Sequence, residues 1–171
     1  MNWTELYNAD KYRNQDNRLI QRFLFHLRRA NGTNNIVLRF LSKSMIVLYR
    51  NIYGLEISYT TKIGKGLYIG HPYGITINPE SIIGENCNIH KGVVIGKENR
   101  GKRKGAPTIG NNVWIGINSA IVGRITIGDN VLIAPCTYIN CDIPNNSIVF
   151  GNPCIIKHND KATEGYINKI V

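Results

Sequence analysis

"IGNNVWIGINSAIVGRITIGDNVLIAPCTYI", from Ile109 to Ile139, returns to isoleucine at every sixth residue. The same step runs through most of the chain: isoleucine stands at 57, 63 and 69, then at 77, 83, 89 and 95, then at 109, 115, 121, 127, 133 and 139. A period of six fits neither an amphipathic helix nor an alternating strand. It fits a hexapeptide β-helix. Three blocks close one triangular coil, and each isoleucine points inward onto its equivalent one coil away. Coils then stack like paired strands, about 4.8 Å apart. Thirteen blocks amount to a little over four coils. The residue after the isoleucine is usually small (Gly64, Gly84, Gly110, Gly116, Gly128, Ala134), and we read this as what the tight corners require.

Two places break the ladder. From Ile69 to Ile77 the step is eight, across Gly70-His71-Pro72-Tyr73-Gly74. From Ile95 to Ile109 it is fourteen, across the basic segment "KENRGKRKGAP". A β-helix extrudes extra residues at its corners, and such loops tend to carry function. The first 55 residues lack the ladder. "RLIQRFLFHLRRA", from Arg18 to Ala30, sets Leu19, Ile20, Phe23, Leu24 and Leu27 on one helical face, and a second helix is expected from about Ile36 to Tyr49, before Gly54. These helices are expected to cap the open first coil, whose strand edges would otherwise be unpaired. The chain thus divides into a helical cap (1–55), a β-helix (56–152) with an extruded loop at 97–108, and a C-terminal tail (153–171).

Composition narrows the function. The net charge is +10, and residues 1–55 hold nine Lys/Arg against three Asp/Glu. Such an excess suits a polyanionic partner, whether nucleic acid, a membrane surface or a phosphorylated cofactor. No zinc-finger spacing or RNA-binding sheet motif supports a nucleic-acid partner, while the basic amphipathic helices leave membrane-surface contact open. The four cysteines form no C-x-x-C pair and read as reduced thiols, so no metal site is expected. Neither a signal peptide nor a membrane-spanning run is evident, and a cytoplasmic protein is expected.

With the ladder, the kinked histidine corner, the extruded loop and "IPNNSIVFGNPC" (Ile143 to Cys154) in view, residues 54–157 resemble the hexapeptide acyltransferases. The serine acetyltransferase-like branch is the nearest, including its short forms from bacterial surface-polysaccharide synthesis. The resemblance implies a left-handed parallel β-helix, homotrimers with active sites between neighbouring subunits, and acetyl-CoA as acyl donor. It places the general base at His71, since a hydroxyl attacks poorly until its proton is taken and an imidazole titrates near neutrality. Glu56 falls where the family carries an aspartate that holds the base's other nitrogen. Gly116, Ser119, Ala120, Gly123 and Ala134 would line the pantetheine slot, and Lys157 would meet coenzyme A phosphates. Tyr73, Arg100, Lys102 and Arg103 are the candidate acceptor contacts.

The departures from the family bear on the acceptor. Gly70 stands where the serine enzymes carry an aspartate before the base, and Gly105 and Ala106 stand in place of an arginine and a second histidine. From this we expect an O-acetyltransferase acting on a sugar hydroxyl, free or carrier-linked, in surface-polysaccharide synthesis. The alternative is serine O-acetylation for cysteine synthesis. A non-catalytic β-helix scaffold is the remaining possibility, and it has no use for an imidazole on a kinked corner.

Overall fold

The computed structural model describes residues 2–171. Three helices precede the coil. α1 (Trp3–Arg13) opens on a capping box in which Asn2 and Glu5 satisfy each other's backbone N–H groups. α2 (Arg18–Gly32) and α3 (Ile36–Tyr53) each begin at an asparagine cap, Asn17 and Asn35. Gly54, in the left-handed region at φ 66°, ends α3 and turns the chain into the coil. The two helices expected from periodicity are present and somewhat longer; α1 was not expected.

The coil has three faces. The first stacks β1 (Leu55–Ile57), β4 (Ile75–Ile77), β7 (Val94–Gly96), β10 (Ala120–Val122) and β13 (Tyr138–Ile139). The second stacks β2 (Lys62–Ile63), β5 (Ile82–Ile83), β8 (Thr108–Ile109) and β11 (Thr126–Ile127), and Ile143 continues it by a bridge to Ile127. The third stacks β3 (Tyr68–Gly70), β6 (Asn88–His90), β9 (Val113–Ile115), β12 (Val131–Ile133) and β14 (Ser147–Phe150), with β15 (Ile155–His158) antiparallel on its end. All other neighbours are parallel, and isoleucine meets isoleucine across the coils: Ile57 on Ile77, Ile69 on Ile89, Ile109 on Ile127. Ile69, Ile89, Ile115 and Ile133 are buried in one continuous core.

The coil is longer than the isoleucine count implies. Ile139, Ile143 and Val149 supply a fifth turn. Ile143 comes four residues after Ile139 and Val149 is not isoleucine, so the strict ladder stops short of it.

The small residues after isoleucine also have a different cause from the one expected. Gly64, Gly84, Gly110 and Gly128 do not sit in left-handed conformations. A Cβ on Gly64 would come within 2.7 Å of the Gly84 carbonyl carbon, so glycine is required by the stacking of one coil on the next. The left-handed corner residue lies two places on: Gly66, then Asn86, Asn112, Asn130 and Asn146, with φ between 53° and 72°. Asparagine tolerates this region, and its side chain adds bonds along the column, as from Asn130 Nδ2 to Asn146 Oδ1 at 2.7 Å.

Polar side chains of the cap close the open edge of the first coil. On β3 and the residue before it, Leu67 N–H donates to Asp10 at 2.8 Å, Ile69 N–H donates to Asn14 at 3.2 Å, and Leu67 carbonyl accepts from Asn14 at 2.8 Å. Arg28 pairs with Asp10 at 2.7 Å and donates to the Ile63 and Gly64 carbonyls at 2.6 Å. Both members of this ion pair are buried. Burial pushes the Asp10 carboxyl upward, and Arg28 and the backbone N–H groups oppose that shift. The tail folds back down the coil. Thr163 bonds Asn130, the Tyr166 and Asn168 carbonyls accept from Asn88 and Arg13, and Val171 N–H donates to Asn86 at 3.0 Å.

Candidate active site

His71 sits on the corner where the third face of coil one passes to the first face of coil two, and its side chain is exposed. Its backbone is left-handed at φ 55°, an unfavourable conformation for a non-glycine residue that the surroundings hold in place. Pro72 is buried beneath it. Tyr73 N–H donates back to the His71 carbonyl at 2.8 Å, and Gly74 N–H donates to the carbonyl of Tyr53, the last residue of α3, at 3.0 Å. Above, Gly92 N–H donates to the Tyr73 carbonyl at 3.0 Å. The two extra residues therefore form a turn clamped between the helical cap and the next coil. The exposed Tyr73 ring lies edge-on to Tyr53, 5.8 Å between centroids.

The later corners of the same column carry His90-Lys91-Gly92, Gly116-Ile117-Asn118 and Ala134-Pro135-Cys136, joined by bonds from Asn118 N–H to Lys91 carbonyl and from Cys136 N–H to Ile117 carbonyl. Gly116 and Ala134 thus lie in line with Gly70 and His90, one place before His71 in the corner column; they are one coil apart, and Gly116 is buried against the coil above. Ala120 follows on the outer surface of β10, between Val94 and Tyr138. Ser119 does not join them. It is fully buried, and its hydroxyl donates to the Ala134 carbonyl at 2.9 Å inside the coil, so its side chain cannot touch a ligand lying outside. Gly123 is at the opposite corner, covered by the extruded loop. Lys157, on β15, is exposed with its ammonium 5.6 Å from the Phe150 ring.

The extruded loop is a small hairpin. Glu98 and Gly105 exchange two backbone bonds of 2.9 Å, and Arg124 N–H donates to the Arg103 carbonyl at 2.8 Å. Arg100, Lys102 and Arg103 are exposed at its tip. His71 and this hairpin flank the first face on opposite edges. Glu56 lies on β1 of that face, and its carboxylate accepts from the Thr76 hydroxyl at 3.1 Å; no hydrogen bond joins it to His71 among the described residues. Glu56 and Thr76 line a cleft of about 550 Å³ beneath α3, with Lys43, Arg50 and Tyr59; His71 is not part of its wall.

A second histidine stands beside the kink, at a corner position that the sequence alone gives little weight. His90 pairs in register with Gly70. A Cβ on Gly70 would meet the His90 ring at 2.5 Å. His90 Nδ1 lies 2.9 Å from the Ile115 carbonyl oxygen. A carbonyl only accepts, so Nδ1 carries the proton and Nε2 keeps its lone pair. Burial lowers the pKa of His90, and the nearby His71 adds to that effect. The ring packs against Trp114 at 4.6 Å, which in turn meets Tyr166 of the tail. The twenty-residue spacing from Ile69 to Ile89 was the available signal, since it places His90 above Gly70.

Comparison with known proteins agrees with this architecture. The model "Bacterial transferase hexapeptide (six repeats)" matches residues 106–141. A serine acetyltransferase of Helicobacter pylori is 35% identical over 113 residues, covering 66% of this chain and 66% of that protein. One from Staphylococcus epidermidis is 38% identical over 116 residues, 67% of this chain and 54% of its own length. The matched stretch thus spans just under two thirds of the first relative and about half of the second. Among solved structures, serine acetyltransferase isoform 3 of Entamoeba histolytica in complex with cysteine superposes with a TM-score of 0.71 at 27% identity, over 87% of this chain and 58% of that one. The Neisseria gonorrhoeae enzyme in complex with serine gives 0.69 at 25% identity, over 91% and 69%. By coil, repeat and relatives, the chain belongs to the hexapeptide-repeat transferases, in their serine acetyltransferase-like branch.

Proposed function

We propose that the protein is an O-acetyltransferase that moves acetyl from acetyl-CoA to a hydroxyl, with His71 as general base. The observation that carries this is the clamped, left-handed turn that holds an exposed imidazole outside the coil. His71 takes the hydroxyl proton as the oxygen attacks the thioester carbonyl. The C–S bond then breaks, and the imidazolium returns its proton to the departing thiolate. A backbone N–H of the corner column holds the oxyanion. Pantetheine lies along the column of Gly116 and Ala134 beside Ala120, with Lys157 toward the phosphates. Glu56, bonded to Thr76 and apart from His71 within one chain, has no role in orienting the imidazole. The working unit is a homotrimer with sites at the subunit seams, in the cytoplasm where acetyl-CoA is available.

The acceptor that the relatives favour is serine, which the names of the curated proteins and the serine complex share. A second reading, a sugar hydroxyl in polysaccharide synthesis, has its own support. No charge stands at Gly70, Gly105 or Ala106, and the space a side chain would need at Gly70 is filled by His90. Gly105, at φ 132° and against Arg124, is equally unsuited to a larger residue. Thiol release from acetyl-CoA with serine and with nucleotide- or lipid-linked sugars separates the two. A larger kcat/KM for serine supports the first reading, turnover confined to sugars supports the second, and no acetyl transfer with any hydroxyl would overturn both.

A further inference from the structure

From the exposed face of α3 and the charge around it, we infer that the helical cap docks on an anionic lipid bilayer. α3 turns Ser42, Ile46 and Tyr49 inward. Its other side should be polar in a helix that faces water. Instead Val37, Phe40, Leu41, Leu48 and Ile52 form one exposed stripe, with Phe40 69% and Ile52 59% exposed, and Ile36 at the helix start is 78% exposed. Over 18 residues the stripe runs about 27 Å.

The charge pattern selects the occupant. Between Asp16 and Glu56 there are seven Lys/Arg and no Asp or Glu. Arg18, Arg22 and Arg50 are exposed and Arg39 and Lys43 half-exposed on α2 and α3. A second copy meeting α3 through the same stripe would set the basic residues of one α3 against those of the other, and α3 itself carries no carboxylate. Anionic headgroups supply the missing charge while acyl chains receive the apolar side chains, the arrangement of an interfacial amphipathic helix. Among the described residues no helix is long and apolar enough to cross a membrane, so α3 lies along the surface. Tyr53, the last residue of α3, is bonded to Gly74 in the His71 turn. A bilayer under α3 therefore brings the His71 corner close to the headgroup plane.

The test is sedimentation of the full chain with vesicles of phosphatidylglycerol mixed into phosphatidylcholine, against phosphatidylcholine alone, read without any activity measurement. Binding should require the anionic lipid and weaken with added salt. Phe40→Asp should lower partitioning roughly ten- to a hundredfold, and Arg22→Gln and Arg50→Gln about fivefold each. Circular dichroism and sedimentation velocity without lipid should be unchanged in all three variants. No binding to anionic vesicles, or wild-type binding by Phe40→Asp, would overturn the inference. So would a change of oligomeric state in Phe40→Asp, which would assign the stripe to a second copy of the chain.

Discussion

Replacing Gly70 by aspartate would put a carboxylate directly before His71, and the fold should resist it. The new Cβ would lie 2.5 Å from His90 Cδ2 and 2.8 Å from Nε2, about an ångström inside ordinary contact. His90 cannot move away freely. Its Nδ1–H donates to the Ile115 carbonyl at 2.9 Å, and its ring rests on Trp114 at 4.6 Å. A one-ångström shift stretches that hydrogen bond beyond useful range, a loss of about 1 kcal/mol. Overpacking adds about 1–3 kcal/mol. The sum of about 2–4 kcal/mol corresponds to a fall in melting temperature of roughly 4–16 °C for a chain of this size. Urea and thermal unfolding at fixed protein concentration, followed by the fluorescence of Trp3 and Trp114, would measure it. In a His90→Ala background the same aspartate meets no ring, so its penalty should shrink by about 1–3 kcal/mol in a double-mutant cycle. Gly70→Asp within about 0.5 kcal/mol of wild type, or an undiminished penalty in the His90→Ala background, would refute the reasoning.

Other outcomes follow from the same geometry. Asp10→Ala should destabilise the chain by about 3–5 kcal/mol, because it leaves the Arg28 guanidinium buried without its carboxylate; denaturant unfolding checks it, and a loss below about 1 kcal/mol would mean that the cap network is not coupled to the first coil. Stability should decline on the acid side as pH falls below the ordinary histidine value of 6.5, since the fold holds His90 neutral while the unfolded chain takes up the proton. His90→Gln should lower that slope, with His26, also shifted down by burial, keeping the remainder. In acetyl transfer, Lys157→Ala should raise the KM for acetyl-CoA several-fold at unchanged kcat, the signature of uniform binding lost from a phosphate contact.

The coil was legible in the sequence because its inward positions recur in space and one branched residue suits nearly all of them. Ile69, Ile89 and Ile115 occupy equivalent places, so the packing rule became a visible period. The helices α2 and α3 were legible for the same reason, through apolar faces. α1 was not, because its contribution is polar: Asp10, Arg13 and Asn14 bond the coil's open edge, and no apolar stripe marks it. The tail was likewise obscure, since Val171 and Asn168 are held by hydrogen bonds to residues far away in the chain. At the candidate site the kink at His71 was visible as a local interruption of a regular pattern. His90 required reading across coils, where a residue twenty places away becomes a neighbour. Ser119 misled because small residues in this coil face either way, and only the fold shows that its hydroxyl is turned inward.

The most direct measurement is steady-state and equilibrium analysis of His71→Ala with acetyl-CoA and the acceptor that supports turnover. His71 is exposed and its side chain holds no structural hydrogen bond among the described residues, so the variant should fold, assemble and bind acetyl-CoA as the wild type does. Its kcat should fall by roughly 10²–10⁴-fold, the usual contribution of a positioned general base. Turnover within a few-fold of wild type, with donor binding intact, would contradict the assignment of the kinked corner as the catalytic centre.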